Sequence, residues 1–282
     1  MIKISRLGII INVIRESNYS EINSKAAEMS FYLLLSFFPF LMFTISSIVY
    51  IPMLHLNKYI AVFQNMMPES AFRLVYSIIN SAMDNRSLSF IIMSFFLTVW
   101  TSSRAVRAII RGANKSYNVK ETRSYVKVFI IALLFTVVLL LLIFSSMIFL
   151  VYGEKIGYFL FGFIGLDNLF FNVWTVCRYT IGVSTVIIIL TSLYKYTPNK
   201  KISLKEATPG AITATIGWIV VSFSYSYYSN YYANYEMIYG SIGGIIVLMT
   251  WLYLSSWAIL IGCEVNARLY YRGKNRKAKS IN

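Results

Sequence analysis

Six stretches of the chain carry enough consecutive apolar residues to cross a bilayer. A spanning helix needs roughly 20 such residues, because about 30 Å of hydrocarbon is crossed at about 1.5 Å per residue. The pattern therefore predicts an all-α, polytopic membrane protein with six transmembrane helices, which together form a membrane domain over residues 28–268. The predicted spans cover residues 29–54, 88–110, 126–152, 173–194, 207–229 and 241–267.

The segments outside the spans carry weaker patterns. Residues 1–27 form an arm in which residues 2–17 place apolar side chains at helical spacing, which predicts an amphipathic helix on the inner leaflet. Residues 56–84 are too polar to span and predict two short extracytoplasmic amphipathic helices, broken at Pro68. Residues 153–172 are aromatic and interrupted by glycine, so we expect them in the outer interface.

The Lys and Arg residues lie mostly on one side of this arrangement. Of the 26, 21 fall in the arm, the segment after span two, the loop after span four and the C-terminal end, which includes a basic tail at 269–282; five fall on the other side. By the positive-inside rule, this bias predicts that both termini are cytoplasmic. It also explains the net charge of +15 without nucleic acid as a partner.

Composition excludes several classes of protein. Hydrophobic residues make up 57% of the chain and charged residues 13%, about half the share usual in soluble domains, which excludes disorder and an ordinary soluble enzyme. The single histidine, His55, cannot supply a His-rich metal site, and no phosphate-loop, zinc-protease or serine-hydrolase motif is present. We therefore expect no enzyme activity, no cofactor and no metal. Cys177 and Cys263 are predicted near opposite faces of the membrane and hence unbonded.

Four charged residues are predicted at the cytoplasmic edge of the membrane. Arg104 and Arg107 lie about 24 Å and about 28 Å along span two from Leu88, while Glu28 begins span one and Glu264 ends span six at the same level. The arrangement of these four charges with the lowest free energy is a single cluster. It is interpreted either as a gate or grip on an anionic headgroup, or as interhelical pairing with snorkelling to the interface.

Two features are predicted near the outer face. Arg178 is the basic residue near the outer end of span four, where outward snorkelling or a phosphate contact would explain it. The end of span five is rich in tyrosine, which indicates either the polar, aromatic wall of a vestibule or an interfacial aromatic belt. These tyrosines are Tyr225, Tyr227, Tyr228, Tyr231, Tyr232, Tyr235 and Tyr239.

Proline and glycine positions predict the shape and packing of the helices. Pro39 lies in the middle of span one, where loss of a backbone hydrogen bond should kink the helix. Small residues at the start of spans five and six, four apart in the case of Gly210 and Ala214, favour close helix contact. The predicted kink and packing positions are Pro39, Pro209, Gly210, Gly240, Gly243 and Gly244.

Four segments carry a resemblance to a known family. They are AAEMSFYLLLSFFPFL at 26–41, VWTSSRAVRAIIRGANKSYNV at 99–119, YKYTPNKKISLKEATPGAI at 194–212 and YGSIGGIIVLMTWLYLSSWAILIGCEVNARL at 239–269. In this order they resemble the YihY/virulence factor BrkB family of bacterial inner-membrane proteins. The resemblance implies six spans and an inner-membrane location. Family members once bore a ribonuclease BN label, and some are linked to envelope integrity or lipid export. Matching positions include Trp100, Arg104, Arg107, Asn114, Pro209, Tyr239, Glu264 and Asn266.

These observations lead to a functional hypothesis, a transporter or flippase-like handler of an amphiphilic, anionic solute or lipid. In it Arg104 and Arg107 hold the headgroup, and the two glutamates pair with them when it leaves. Its substrate-binding or gating residues are Glu28, Trp100, Arg104, Arg107, Asn114, Arg178, Tyr239, Glu264 and Asn266. The alternatives are a structural or interaction protein that transports nothing and, third, a membrane-embedded enzyme. The expected partners are anionic membrane lipids, with homo-oligomers left open.

Overall fold

The computed structural model describes residues 19–50, 76–77, 80, 88–142, 167–231 and 239–279, and within these ranges the regular secondary structure is entirely helical. The predicted all-α class is therefore confirmed. The helices are α1 (Tyr19–Tyr50), α2 (Leu88–Ser116), α3 (Tyr125–Leu142), α4 (Asp167–Tyr196), α5 (Leu204–Tyr231) and α6 (Gly243–Lys279), with a 3-10 turn at Gly240–Ile242 before α6.

The helices are long and apolar enough for a membrane protein that crosses the bilayer several times. In the described part of the chain, five of them reach the length and hydropathy of a membrane span, and α4 adds a shorter apolar stretch, Thr180–Tyr196. Helix α1 begins at Tyr19, ahead of the predicted span, and α6 continues to Lys279, beyond it. The helices continue past the apolar runs because Glu, Lys and Arg are also good helix formers.

Several predicted features lie outside the described residues. These are the interfacial helix at 2–17, the outer segment at 153–172 and all of 56–84 except Tyr76, Ser77 and Asn80. The backbone of α4 includes Cys177 and Arg178, but their side chains are not among the described ones. Cys263 is buried and forms no disulfide bond.

The packed core lies where α1 and α5 begin and α2, α4 and α6 end, which we call the basic end because of its Lys and Arg residues. Helix α1 packs along α2, α5 packs along α6, and α6 also contacts α1. The core here is rich in alanine, and Ala108, Ala207 and Ala211 are fully buried. In a membrane, helices associate through close van der Waals contact, which small side chains permit.

The crossing of α5 and α6 depends on two glycines. A Cβ added to Gly210 would contact the carbonyl oxygen of Gly262 and lie 2.5 Å from Cγ of Asn266. A Cβ added to Gly262 would lie 2.7 Å from the Gly210 carbonyl and 2.8 Å from Cβ of Ala214. Gly210 and Ala214 thus lie at a contact of the kind that their spacing predicted, and no larger residue fits at Gly210 or Gly262.

Gly240 was predicted to allow close helix contact, but within the described residues no neighbouring helix lies against it. Its φ of +56° is in the left-handed region, and an added Cβ would meet nothing within 4 Å. Glycine is therefore required there by the backbone conformation of the turn before α6 rather than by a neighbouring helix. Gly243, the first residue of α6, is buried, and Gly244 is partly buried.

The two predicted proline positions lie inside helices. Helix α1 continues through Pro39, and α5 continues through Pro209, which lies near its start. A proline has no N–H to donate to the preceding turn, so it weakens the helical hydrogen-bond pattern locally. At Pro209 the adjacent α5 backbone has a partner on α6, which is described below.

Candidate functional site

Arg104 of α2 lies between two aromatic rings. Its Cζ is 5.7 Å from the ring centroid of Tyr32 on α1 and 5.8 Å from that of Trp100, one turn earlier on α2. Its Nε is buried and has no hydrogen-bond partner. The cation is therefore held by ring faces, each of which contributes about 0.5–2 kcal/mol, while a strong donor stays unused.

Arg107 is held in the same manner on the side of α3. Its Cζ lies 5.6 Å from the Tyr125 ring centroid and 5.5 Å from that of Phe129. Its Nη1 donates a 2.7 Å hydrogen bond to the Tyr125 hydroxyl. Since that hydroxyl oxygen accepts from Arg107, its own proton remains available to an acceptor.

The two arginines form one surface, which we call the arginine face: Arg104 and Arg107 with the rings of Tyr32, Trp100, Tyr125 and Phe129. Their spacing of three residues places them side by side on α2. The rings of Trp100 and Phe129 meet edge to face at 5.9 Å and so join α2 to α3. Trp100 is 52% exposed and Tyr125 73%, so the arginine face lies on the outside of the helix bundle.

Glu28 does not join these arginines, contrary to the predicted cluster. Its carboxylate pairs with Lys25 at 3.0 Å and with Arg111. Arg111 lies one turn beyond Arg107 on α2, and it is this later turn that meets the start of α1. The prediction placed Glu28 at the correct end of the bundle but gave it the wrong partners.

Glu264 is also engaged elsewhere. It pairs at 3.0 Å with Arg268, one turn later on α6, because side chains four apart on a helix are neighbours. Consequently, across the described residues, no carboxylate forms an ion pair with Arg104 or Arg107. The predicted four-residue cluster is replaced by two ion-paired glutamates and two arginines on aromatic rings.

Asn114 is buried and uses both ends of its amide within the protein. Its Oδ1 accepts a 2.6 Å hydrogen bond from the backbone N–H of Asn199, and its Nδ2 donates a 2.7 Å hydrogen bond to Glu121. One residue of α2 thereby binds the turn before α3 and the turn between α4 and α5. Asn114 acts as a structural link, bonded within the protein at both its amide oxygen and its amide nitrogen.

Arg123 completes this contact, which we call the loop junction: Asn114, Glu121, Arg123, Thr197 and Asn199. Its Nε and Nη2 donate to the two carboxylate oxygens of Glu121 at 2.8 Å and 2.7 Å, and Nη2 also donates to the Thr197 carbonyl at 2.8 Å. These bonds hold the pKa of Glu121 below its ordinary value. The loop junction positions the start of α3, and with it Tyr125 of the arginine face.

The end of α2 has a regular C-terminal cap that leads into this junction. Val119 N–H donates to the Asn114 carbonyl at 2.9 Å, and Asn118 N–H donates to the Lys115 carbonyl at 2.9 Å. Asn118 has a φ of 47°, a left-handed conformation that asparagine tolerates better than most residues. This bond pair is a Schellman motif, which turns the chain from α2 toward Glu121.

Asn266 performs the corresponding role between α5 and α6. It is fully buried, its Oδ1 accepts from Gly210 N–H at 2.6 Å, and its Nδ2 donates to the Ala207 carbonyl at 2.8 Å. These backbone groups flank Pro209, where the helical pattern is weakened. Asn266 is thus a structural partner of the α5 backbone, bonded at both its amide oxygen and its amide nitrogen.

An aromatic cage at the basic end was not anticipated. The Lys200 ammonium lies 4.1 Å from the ring centroid of Tyr270, 4.5 Å from Tyr271 and 5.8 Å from Tyr117. Tyr271 accepts from Lys200 at 3.2 Å and donates to the Tyr117 carbonyl at 2.5 Å. Burial raises the pKa of the Tyr117 hydroxyl well above its ordinary value, so it stays protonated. The cage fixes the α4–α5 turn against α6.

The tyrosines at the end of α5 point in different directions. Tyr225 is buried beside Tyr228, with ring centroids 6.4 Å apart, whereas Tyr227 and Tyr228 are exposed. Tyr239, before the 3-10 turn, is also exposed. The side chains of Tyr231, Tyr232 and Tyr235 lie outside the described set. Both interpretations of this tyrosine-rich end remain compatible with the side chains that are described.

The comparison with protein families places these residues in context. The chain matches the family described as Virulence factor BrkB over residues 13–281. It belongs to the BrkB family. Two of the segments that carried the resemblance hold the residues described above: 99–119 contains both arginines of the arginine face, and 194–212 contains Lys200 of the cage.

Individual relatives match the chain over different shares of its length, and two of the following three are named as membrane proteins. The ribonuclease-like protein YfkH of Bacillus subtilis (strain 168) is 39% identical over 251 residues, 89% of this chain and 91% of that protein. A UPF0761 membrane protein of Tolumonas auensis is 25% identical over 250 residues, 86% of this chain and 79% of that protein. A UPF0761 membrane protein of Pseudoalteromonas translucida is 35% identical over 86 residues, 30% of this chain and 28% of that protein. No solved structure matches the chain.

The sequence did not indicate that Arg123 belongs to the loop junction. It also did not indicate that Lys200 lies between Tyr270 and Tyr271 of α6. The available signal was the segment TPNKK between α4 and α5. Its proline, asparagine and two lysines indicated a turn and a basic loop but did not indicate which residues they contact. The cage combines residues near positions 117, 200 and 270, and no local pattern connects segments that far apart.

Proposed function

We propose that this BrkB-family protein binds an anionic amphiphile at the edge of the membrane and moves it, as a transporter or flippase-like protein. The observation that carries the proposal is the arginine face, where two adjacent cations rest on aromatic rings without a carboxylate among the described residues. Cations at membrane depth are costly and are retained for pairing or for function. No carboxylate among the described residues pairs with Arg104 or Arg107, which favours binding of an anion from outside the protein.

The aromatic rings supply a physical route for binding and release. A cation–π contact contributes about 0.5–2 kcal/mol, whereas an arginine with an oxyanion forms shorter, charge-assisted hydrogen bonds that are roughly twice as strong as neutral ones. An arriving anion therefore has no internal ion pair to break. When it leaves, the rings of Tyr32 and Tyr125 hold the cations again, the role that the prediction had given to Glu28 and Glu264.

The proposed location is the bacterial inner membrane with both termini in the cytoplasm. It is supported by the 21 basic residues that the predicted topology places on one side against five on the other. In this orientation the basic end, and the arginine face beside it, lie at the inner leaflet. A cysteine-labelling experiment on intact cells with a tag at either terminus tests this orientation.

A second candidate is a membrane protein that transports nothing and acts in structure or interaction. It is favoured by Asn114 and Asn266, two predicted site residues whose amides are bonded within the protein at both oxygen and nitrogen. We propose no enzymatic activity, and the word ribonuclease in the name of the Bacillus relative describes that protein alone.

Transport in reconstituted vesicles separates the two candidates. The purified chain would be inserted into vesicles that contain a labelled anionic lipid, and movement of the label between leaflets would be followed. We expect movement with the wild type and at least a ~10-fold loss, equivalent to about 1.4 kcal/mol, in Arg104→Gln and in Arg107→Gln. Arg111→Gln is the matched control, because Arg111 lies on the same helix but is paired with Glu28.

Each outcome of this experiment has one meaning. Wild-type protein that moves no anionic amphiphile would leave the non-transporting candidate in place. Variants of Arg104 and Arg107 that fold and transport at the wild-type rate would remove the arginine face from the mechanism.

A further inference from the structure

The arginine face opens toward lipid rather than toward the inside of the bundle. Trp100 and Tyr125, which cover its two arginines, are among the more exposed side chains of their helices, while Ala105 and Ile109 on the opposite side of α2 are buried. At membrane depth, the exposed side of a helix contacts lipid. A ligand that reaches Arg104 and Arg107 from this side enters sideways from a leaflet, between α2 and α3.

The depth of the site matches the level of lipid phosphates. Arg104 and Arg107 lie about 24 Å and about 28 Å along α2 from Leu88, close to the ~30 Å thickness of the hydrocarbon layer. Long arginine side chains extend from such a position to the headgroup region. The anions concentrated at this level in a membrane are the phosphates of its lipids.

The donors of the arginine face come from three side chains on two helices. Arg104 has a guanidinium that forms no hydrogen bond in the described structure, Arg107 has one that is bonded only to a hydroxyl there, and Tyr125 has a hydroxyl proton to donate. A planar carboxylate is satisfied by a single guanidinium, which it meets edge to edge. A tetrahedral phosphate accepts from donors that approach from several directions, so it fits this set better.

The surroundings also discriminate between headgroups. A zwitterionic headgroup such as ethanolamine brings an ammonium that needs an acceptor. The carboxylates nearest in the chain to this region, Glu28 and Glu121, are already bonded to Arg111 and Arg123. An ammonium placed beside two unpaired guanidiniums would be repelled without compensation, which selects against such lipids.

From these observations we infer that the arginine face is a binding site for an acidic phospholipid, which enters sideways from the leaflet between α2 and α3 and binds through its phosphate to Arg104, Arg107 and Tyr125. The inference rests on the proposed function, because it names the ligand class of the same site. Trp100 and Phe129 lie against the glycerol and upper acyl region of the bound lipid.

Lipid binding to the purified full-length chain tests the inference. Retained lipid is measured by native mass spectrometry after equilibration with phosphatidylglycerol, phosphatidylethanolamine, oleate or glycerol 3-phosphate as separate probes. We expect the wild type to prefer phosphatidylglycerol over phosphatidylethanolamine by ~10-fold or more, and glycerol 3-phosphate to bind far more weakly than the lipid. Oleate, which carries a carboxylate, should compete poorly.

Three variants and one control locate the site. Arg104→Gln and Arg107→Gln should each lose the preference for phosphatidylglycerol, and Tyr125→Phe, which removes a single hydroxyl, should weaken it severalfold. Arg111→Gln should bind as the wild type does. Thermal unfolding of each purified variant checks its fold, and Tyr125→Phe keeps the test informative if an arginine variant does not fold.

The failure of this inference can be distinguished from failure of the proposed function. Equal retention of both phospholipids, oleate that competes as well as phosphatidylglycerol, or glycerol 3-phosphate that binds as tightly as the lipid would each overturn the acidic-phospholipid assignment. Wild-type preference that survives in all three variants would overturn the location. Selective binding without movement in vesicles would support the binding site and overturn transport.

Discussion

Two regions near the same end of the molecule differ in whether their arginines are bonded to a carboxylate. In the loop junction, Arg123 is almost buried and binds both oxygens of Glu121 as well as a backbone carbonyl. On the arginine face, Arg104 and Arg107 rest on rings and, in the described structure, meet no carboxylate. The cation of the loop junction is thus used within the fold, whereas the arginines of the arginine face have no carboxylate partner among the described residues, and this difference is the basis of the proposed ligand site.

Asn266, which is bonded at both its amide oxygen and its amide nitrogen, resembles Arg123 of the loop junction in this comparison. In both, a buried or nearly buried polar side chain, Arg123 or Asn266, donates to a backbone carbonyl of another helix or turn. Removing one partner of such a contact leaves the other buried and unpaired. Changes there should lower stability, and changes on the arginine face should alter binding with little effect on stability.

The largest effect is expected for Asn266→Ala. It removes two hydrogen bonds to the α5 backbone, each worth about 0.5–1.5 kcal/mol, and leaves a cavity in place of a fully buried side chain at the α5–α6 crossing. We expect a loss of about 2–5 kcal/mol in the free energy of unfolding, measured by reversible denaturant titration in micelles. A loss no larger than that of Arg104→Gln would contradict the comparison.

Arg123→Gln should follow. Hydrogen bonds to charged groups contribute about 1.5–3 kcal/mol, and this change also releases the start of α3 from the α4–α5 turn. The matched control is Arg111→Gln, whose ion pair with Glu28 is largely exposed and contributes about 0–1 kcal/mol. The same titration compares them, and equal losses in both variants would remove the distinction between junction and surface pairs.

Acid should weaken the loop junction through Glu121. Because its hydrogen bonds to Arg123 hold its pKa below the ordinary value of 4.5, it contributes stability that is fully present above that value. This contribution is lost as the pH falls through the lower folded-state pKa. Thermal unfolding followed from neutral pH down to about pH 3.5 should show a steeper decline in the wild type than in Glu121→Gln. Parallel curves would exclude this carboxylate as the cause.

A smaller loss is expected when the aromatic cage is emptied. In Lys200→Met the ammonium is lost from the rings of Tyr270 and Tyr271, which should cost about 0.5–2 kcal/mol. Lys200→Arg keeps the charge and should retain most of that stability. Unfolding titrations of the two variants test this expectation. An equal loss of unfolding free energy in both would show that the shape of the lysine side chain, rather than its charge, stabilises the cage.

The smallest stability effect is expected for Arg104→Met. The change removes a guanidinium with an unpartnered buried Nε, so the desolvation penalty of about 1–3 kcal/mol offsets the lost cation–π contacts. We expect an unfolding free energy within about 1 kcal/mol of the wild type, together with loss of selective lipid retention. A variant that unfolds as easily as Asn266→Ala would place Arg104 among the structural cations.

Sequence reasoning was most successful where a local pattern carries the information. Apolar runs longer than a bilayer is thick predicted the helices, and the spacing of Gly210 and Ala214 pointed to a close helix contact that the structure contains. It was least successful for pairing. Glu28 was placed at the correct end of the bundle, but whether it meets Arg107 or Arg111 depends on how α1 is rotated against α2, a property that no local pattern encodes.

The asparagines illustrate the same limit. Asn114 and Asn266, which match the family pattern, were included among the predicted site residues, yet each amide is bonded within the protein at both oxygen and nitrogen. A polar residue in an apolar helix signals that a partner exists. The sequence does not say whether that partner is a ligand or the protein's own backbone.

Hydrophobicity along this chain was enough to predict a helical membrane protein, because burial in lipid depends on the composition of each segment taken alone. Which cations are neutralised and which stay unpaired was settled by folding. Side-chain pairing depends on distances of a few ångströms between helices that are far apart in sequence. Arg123 and Arg104 are the same residue type, and only the packing around them made one a structural link and the other a candidate ligand site.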